Sequence, residues 1–314
     1  MGASIVQPKK KKQNKNFLKK VKQQKYLLIL LFPCLLYYAI FKYIPMYGII
    51  IAFKKYDFRY GILGSPWVGL EYFKQFIQGP YFFRLVRNTF LLSFYDLIWG
   101  FPIPIIFALL LNEIQNKKFK KAVQSISYLP HFISIVIVVG LLKQMTSPTS
   151  GIINLMIQRF GGQPINFFMD KEWFRTLYIA SGIWQNFGWG AIIYIASISS
   201  IDPQLYEAAQ MDGAGRFRCM WHITLPGISP TIVILLILRL GRLLDVGFEK
   251  VLLMYSPGIY ETADIISTYI YRAGIQQANY SLGTAVGLMN SIIAFVLIVI
   301  ANKISQKVSE TSLW

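Results

Sequence analysis

Six windows of about twenty predominantly apolar residues recur along the chain, at roughly 26–53, 88–111, 123–145, 176–199, 231–253 and 282–301. An α-helix rises ~1.5 Å per residue, so each window is long enough to cross a hydrocarbon core of ~30 Å. A soluble protein could enclose six such helices only with ample polar chain to spare. Here 54% of the 314 residues are hydrophobic and 15% are charged, against about 25% charged in an ordinary globular domain. The 16% of aromatic residues excludes a disordered chain. The expected fold is an all-α integral membrane protein with six transmembrane helices, a number that returns both termini to one side.

The formal charge of +18 would suit a nucleic-acid binder if it lay in aromatic-interleaved motifs, but it is concentrated elsewhere. Nine lysines fall within residues 9–25, directly before the first apolar window, where they suit a cytoplasmic anchor against anionic headgroups. With Lys117, Lys118, Lys120, Lys121, Arg216, Arg218, Lys303 and Lys307 they make seventeen basic residues on one side of the six-span topology. The positive-inside rule then places both termini in the cytoplasm of a plasma-membrane protein. The opposite loops, 54–87, 146–175 and 254–281, are rich in Tyr, Trp, Phe, Gly and Pro, as suits an interfacial belt. The expected segments are a basic tail at 1–25, a first helix with its outer loop at 26–87, a core at 88–303 containing a cytoplasmic loop at 200–230, and a C-terminus at 304–314.

Catalytic constellations are missing: the chain has no G-x-S-x-G, no H-E-x-x-H and no C-x-x-C. Cys34 and Cys219 stand far apart, and His131 and His222 have no ligand-spaced neighbours, so neither a disulfide framework nor a metal site is expected. No phosphate-cradling G-x-x-x-x-G-K-[ST] is present, so the chain is not expected to bind ATP itself or to act as an enzyme. The first window is about twice the length of a signal-peptide core and lacks an A-x-A site, so it is expected to remain as a helix.

The stretch between windows four and five carries its own helix punctuation. Asp202 can cap, Pro203 fits the first helical position, and Gly213 can end the helix about ten residues later in a left-handed conformation. Leu205, Ala208 and Ala209 then share one face, a small apolar ridge that a partner's groove could approach closely. A second short helix should carry Phe217, Met220 and Trp221 on one side, before Leu225-Pro226-Gly227 turns the chain into the fifth span. A loop lying on the membrane is the alternative, but such a helix favours bulky apolar and basic residues over Ala-Ala.

Together, Glu207-Ala208-Ala209, Asp212-Gly213-Ala214 and Ile223-x-Leu225-Pro226 resemble the coupling loop, or EAA loop, of permease subunits in binding-protein-dependent type I ABC importers. The resemblance covers about residues 85–305. The beginning, Phe32-Pro33 through Tyr43-Ile-Pro-Met-Tyr-Gly48 and Gly61-Ile-Leu-Gly-Ser-Pro-Trp-Val-Gly-Leu70, is similar to the branch that imports complex oligosaccharides in Gram-positive bacteria, with a maltose-importer-like permease fold. The resemblance implies a subunit paired with a second permease and driven by dimeric cytosolic ATPase subunits that bind ATP and Mg. An extracellular lipid-anchored binding protein would feed it, and this chain would carry no cofactor of its own. Glu207 is then the polar contact at the ATPase socket, Ala208 and Ala209 its floor, Asp212 and Gly213 the exit, and Leu225-Pro226 the turn into the membrane. The implied cargo is an oligosaccharide. A peptide, amino acid or phosphate permease, an ion-gradient carrier and a membrane-embedded enzyme are the alternatives.

Window five also carries charge: Arg239, Arg242 and Asp245, with Glu249 beyond. If the helix is continuous, the i, i+3 spacing puts both arginines on one face, about 12 and 17 Å from the inner end. Each costs ~2.5–3.5 kcal/mol on insertion scales, so they should face protein or water, and Asp96 lies at a depth to pair with Arg242. An ion-pair network between spans and a cavity lining that meets an acidic sugar, such as a pectin or alginate fragment, both fit this pattern. Trp184, Trp189 and Asn290 are weaker candidates for stacking on sugar rings and bonding hydroxyls, since Trp near an interface also serves as a belt.

Overall fold

The structure, a computed structural model, describes residues 24–309, without side chains at 301, 304, 305 and 307–309. The expectations for residues 1–23, including most of the lysine tail, and for 310–314 lie outside the described residues. Among the described residues there is no strand pairing beyond one isolated bridge, Lys54 to Trp67.

Helix α1 (Lys25–Tyr38) runs through a π-helical turn at Ala39–Tyr43 into a 3-10 stretch at Ile44–Phe53, forming one rod of 29 residues. The next rod repeats the device. Helix α2 (Phe82–Tyr95) widens at Asp96–Gly100 and continues as α3 (Pro102–Asn112). In both rods the wide turn immediately precedes the helical segment that opens with a proline at its first or second position, Pro45 or Pro102. Proline has no N–H and its ring crowds the turn before it, which relaxes into the π form.

The third window is not one straight helix. Helix α4 (Lys117–Tyr128), capped by Asn116 Oδ1 accepting from the N–H groups of Lys118 and Phe119 at 3.0 and 3.1 Å, runs into a 3-10 turn at Leu129–Phe132. Helix α5 (Ile135–Met145) then leaves at 99°. Pro130 sits in the turn, and Ser134 restarts the helix with its Oγ accepting from Ile137 N–H at 3.4 Å. Helix α6 (Phe174–Ser199) has 26 residues, long enough to cross, with Ser, Gln, Asn and Gly interspersed among its apolar residues.

After the short helix α7 (Pro203–Met211), a helical stretch at Arg216–Gly227 meets α8 (Ser229–Gly241) at 57°. The fifth window is also broken: α8 stops at Gly241, residues 242–247 are non-helical, and α9 (Phe248–Met254) resumes. Three local bonds, Arg242 N–H to Arg239 O, Leu243 N–H to Leu240 O and Asp245 N–H to Arg242 O, satisfy freed backbone at the break. Helix α10 (Tyr280–Ser309) closes the fold. Among the described residues, three helices are thus long and apolar enough to cross a membrane, or five if each bent pair forms one span. The expected sixth, 176–199, falls within α6.

Three apolar clusters hold these pieces together. One joins Leu92, Val139, Phe174, Tyr178, Val251 and Met254, gathering α2, α5, α6 and α9. A second packs Phe76 and Leu85 against Ile266, Leu282 and Val286, and a third packs Ala108 and Leu109 of α3 against Ala191, Tyr194 and Ile198 of α6. Where α4 crosses α6 the backbones touch: a Cβ on Gly188 would stand 2.1 Å from the Ser127 carbonyl oxygen. No residue but glycine fits that crossing.

Candidate functional site

The punctuation read between windows four and five is realised. Asp202 Oδ1 accepts from Gln204 N–H at 2.9 Å, Pro203 opens α7, and Gly213 ends the turn beyond it at φ +76°. Gly213 N–H donates to Gln210 O at 3.0 Å and Ala214 N–H to Ala209 O at 2.9 Å, consuming carbonyls that a helix end leaves free. Glu207, Ala208 and Asp212 are exposed, and Ala209 is half-buried. What fixes α7 is its other side. The Tyr206 hydroxyl lies 3.0 Å from Thr224 Oγ1, and Thr224 is buried where the chain turns up towards α8. Leu225 packs against the α3–α6 cluster, whereas Pro226 is exposed. Phe217 and Trp221, expected on one face, are 81% and 67% exposed, while Met220 turns towards that cluster.

A cavity of about 950 Å³ lies between α2, α6, α8 and the break at 242–247. Asp96, Arg239 and Arg242 all line it. The pairing differs from the expectation: Asp96 is bound by Arg239, whose guanidinium donates to Asp96 Oδ2 at 2.5 Å and to the Asp96 carbonyl at 3.3 Å. Helical register fails past Gly241, so Arg242 leaves the Arg239 face. It is exposed and, among the described residues, forms no ion pair. Trp189 lines the cavity and stacks on His131 at 4.6 Å with the rings 3° from parallel. Gln185, also lining, donates to Ile133 O at 2.8 Å and so ties α6 to the α4–α5 bend. Trp184 and Asn290 are not in the lining. Trp184 is exposed, and Asn290 is on α10 with its Oδ1 buried and unpartnered.

Two features escaped the sequence reading. Lys250, on α9, lines the cavity while only 7% exposed, its Nζ donating to Tyr178 O at 2.7 Å and lying 4.6 Å over the Tyr178 ring. Its signal was a lone lysine between Phe248 and Val251-Leu-Leu-Met254, within a window already counted as apolar. The second is a carboxylate knot in the 254–281 loop. Fully buried Asp264 accepts from Arg84 at 3.0 Å, from Arg272 at 3.1 and 2.7 Å, and from Thr268 at 2.9 Å. Burial opposes the Arg272 charge, but the hydrogen bonds and charge of Asp264 outweigh it and raise that group. Nearby, the hydrogen bond and charge of Lys171 hold Glu261 below the usual carboxylate range.

Apolar rods around a cavity lined by charged groups, with a capped helix projecting beside the start of one rod, define an α-helical membrane transport subunit. The chain belongs to the family described as binding-protein-dependent transport system inner membrane component, which matches residues 76–310. It is 48% identical over 305 residues to the polygalacturonan/rhamnogalacturonan transport system permease protein YteP of Bacillus subtilis (strain 168), covering 97% of this chain and 95% of that one. It is 47% identical to Protein LplB of the same organism, over 94% of this chain and 92% of the other. Among solved structures it superposes with TM-score 0.87 and 45% identity on a crystal structure of a bacterial ABC transporter involved in the import of the acidic polysaccharide alginate, covering 94% of this chain and 99% of that chain.

Proposed function

We propose that this chain is the permease subunit of an ATP-driven importer of uronate-containing oligosaccharides, working by alternating access with both termini in the cytoplasm. The observation that carries this reading is its near-full-length similarity to two transport proteins, one named for polygalacturonan and rhamnogalacturonan and one involved in the import of the acidic polysaccharide alginate. A second permease supplies the other half of the pathway, dimeric ATPase subunits bind ATP and Mg, and an extracellular binding protein delivers the sugar. A related alginate transporter crystallised with a pentasaccharide-bound periplasmic protein supports that last partner.

In this reading α7 seats in a cleft of the ATPase through Glu207, Ala208 and Ala209. The Tyr206–Thr224 contact and the Leu225-Pro226 turn pass ATPase closure to α8 as a rigid-body movement. Arg242, exposed in the cavity and without an ion pair among the described residues, offers its guanidinium fork to sugar carboxylates, while Arg239 holds Asp96 and joins α8 to the α2–α3 rod. The test is uptake of oligogalacturonate by proteoliposomes holding the whole complex. Scrambling residues 203–213 is expected to abolish co-purification of the ATPase and uptake together. Arg242→Gln is expected to lower uptake about tenfold, the weight of one charged contact, with the ATPase still bound. An ATPase that still co-purifies with the scrambled chain would sink the reading.

A further inference from the structure

Lys250 is the buried cation in the cavity, and the reading above leaves it unused. An ammonium carries three donors, and the structure gives this one a single acceptor, the Tyr178 carbonyl, with the Tyr178 ring beneath it. Lysines this deeply buried are almost always paired with a carboxylate. Lys250 forms no ion pair among the described residues. The Asp96 carboxylate also lines the cavity, but it is taken by Arg239. Asp245 and Glu249 also line the cavity, yet both are exposed and neither is paired with Lys250. Beside the Nζ lies Gly182, where even a methyl group would stand 3.2 Å away, so open space is kept on the cavity side.

We propose that the Lys250 ammonium binds a carboxylate of the passing sugar chain, making it a substrate-contacting specificity residue of the pathway. A sugar hydroxyl would satisfy its spare donors but not its charge. A uronate carboxylate satisfies both, and in a narrow, weakly screened cavity a charge-assisted bond is at its strongest. Ionisable groups at such depth mark transport pathways when no protein partner accounts for them. Arg239, which holds Asp96, is a positioning residue, and Lys250 joins Arg242 in facing the sugar. This inference rests on the proposed uronate cargo.

The experiment uses the complete transporter in proteoliposomes with its binding protein saturated by oligogalacturonates or alginate oligosaccharides of two to six units. Sugar imported is divided by ATP hydrolysed, so a defect in assembly or ATPase coupling does not imitate a defect in sugar contact. In Lys250→Met and Lys250→Gln this ratio is expected to fall about tenfold or more, as for loss of one hydrogen bond to a charged group. Lys250→Arg should hold it near the wild-type value. An unchanged ratio in the neutral variants, an arginine variant as poor as methionine, or failure of both neutral variants to assemble would overturn the role of Lys250 while leaving the cargo standing. A wild-type complex that imports neither acidic sugar would bring down the cargo reading, and this inference with it.

Discussion

Asp264 has no exposed side-chain surface and serves two guanidiniums and a hydroxyl, so it knots the start of α2 to the 254–281 loop. Asn88 adds to the knot, its Nδ2 donating to the carbonyls of both Glu261 and Asp264 at 3.0 Å. Removing one partner of a buried ion pair costs ~3–5 kcal/mol, because the charge left behind has no water to replace it. Arg84 and Arg272 keep some exposure, so Asp264→Asn is expected near the lower end, ~3 kcal/mol. Thermal unfolding of the detergent-purified protein checks this, and a loss below ~1 kcal/mol would make the knot a solvent-screened surface pair. At this scale the sequence singled out Arg239 and Asp96, because a charge inside an apolar window is visible without coordinates. It misjudged the partner, pairing Asp96 with Arg242, because the register was carried past Gly241 as if the helix continued. Lys250 was passed over as a lone lysine inside a window counted as apolar.

The elements divide into those that announce their ends and those that do not. Helix α7 was legible because Asp202, Pro203 and Gly213 are each local signals, and each does in the fold what its chemistry requires. The right-angle bend between α4 and α5 was averaged away by a twenty-residue apolar window, although Pro130 and Ser134 marked it. The break after α8 carried only Gly241 and Gly247 as markers, and glycine is common in membrane helices. The crossing of α4 and α6 gives a sharper element-scale expectation. Gly188→Ala would drive a methyl group into the Ser127 carbonyl. It should destabilise at or beyond the upper end of the ~1–3 kcal/mol typical of overpacking. Gly190→Ala, whose Cβ would meet only Pro104 side-chain atoms at 3.3–3.4 Å, should cost much less. Parallel melting curves of the two variants test the contrast, and equal losses would mean that the helices separate easily.

For the whole molecule, the first rod contributes none of its apolar window to the interior of the chain, so the fold is finished only by lipid or a neighbouring subunit. The chain also has no phosphate-cradling motif of its own. Uptake by the reconstituted complex is therefore expected to require ATP and the ATPase subunits, and to survive a protonophore or sodium ionophore. Uptake that follows an ion gradient in the absence of ATP would count for a carrier instead. Fold class was legible at this scale from hydropathy alone, since too little polar chain existed for any other enclosure. The cavity was not, because it arises from broken helices meeting across more than a hundred residues of sequence. One seam governs how such a body deforms. With Ser127 lying against the bare backbone of Gly188, the two rods have no cushion of side chains on which to slide lengthwise. A shift of one residue would jam the next side chain into the gap, so α4 and α6 travel as a single plank. Bending is left to the joints at either end of it, the corner near Ile133 and the Asp202 cap.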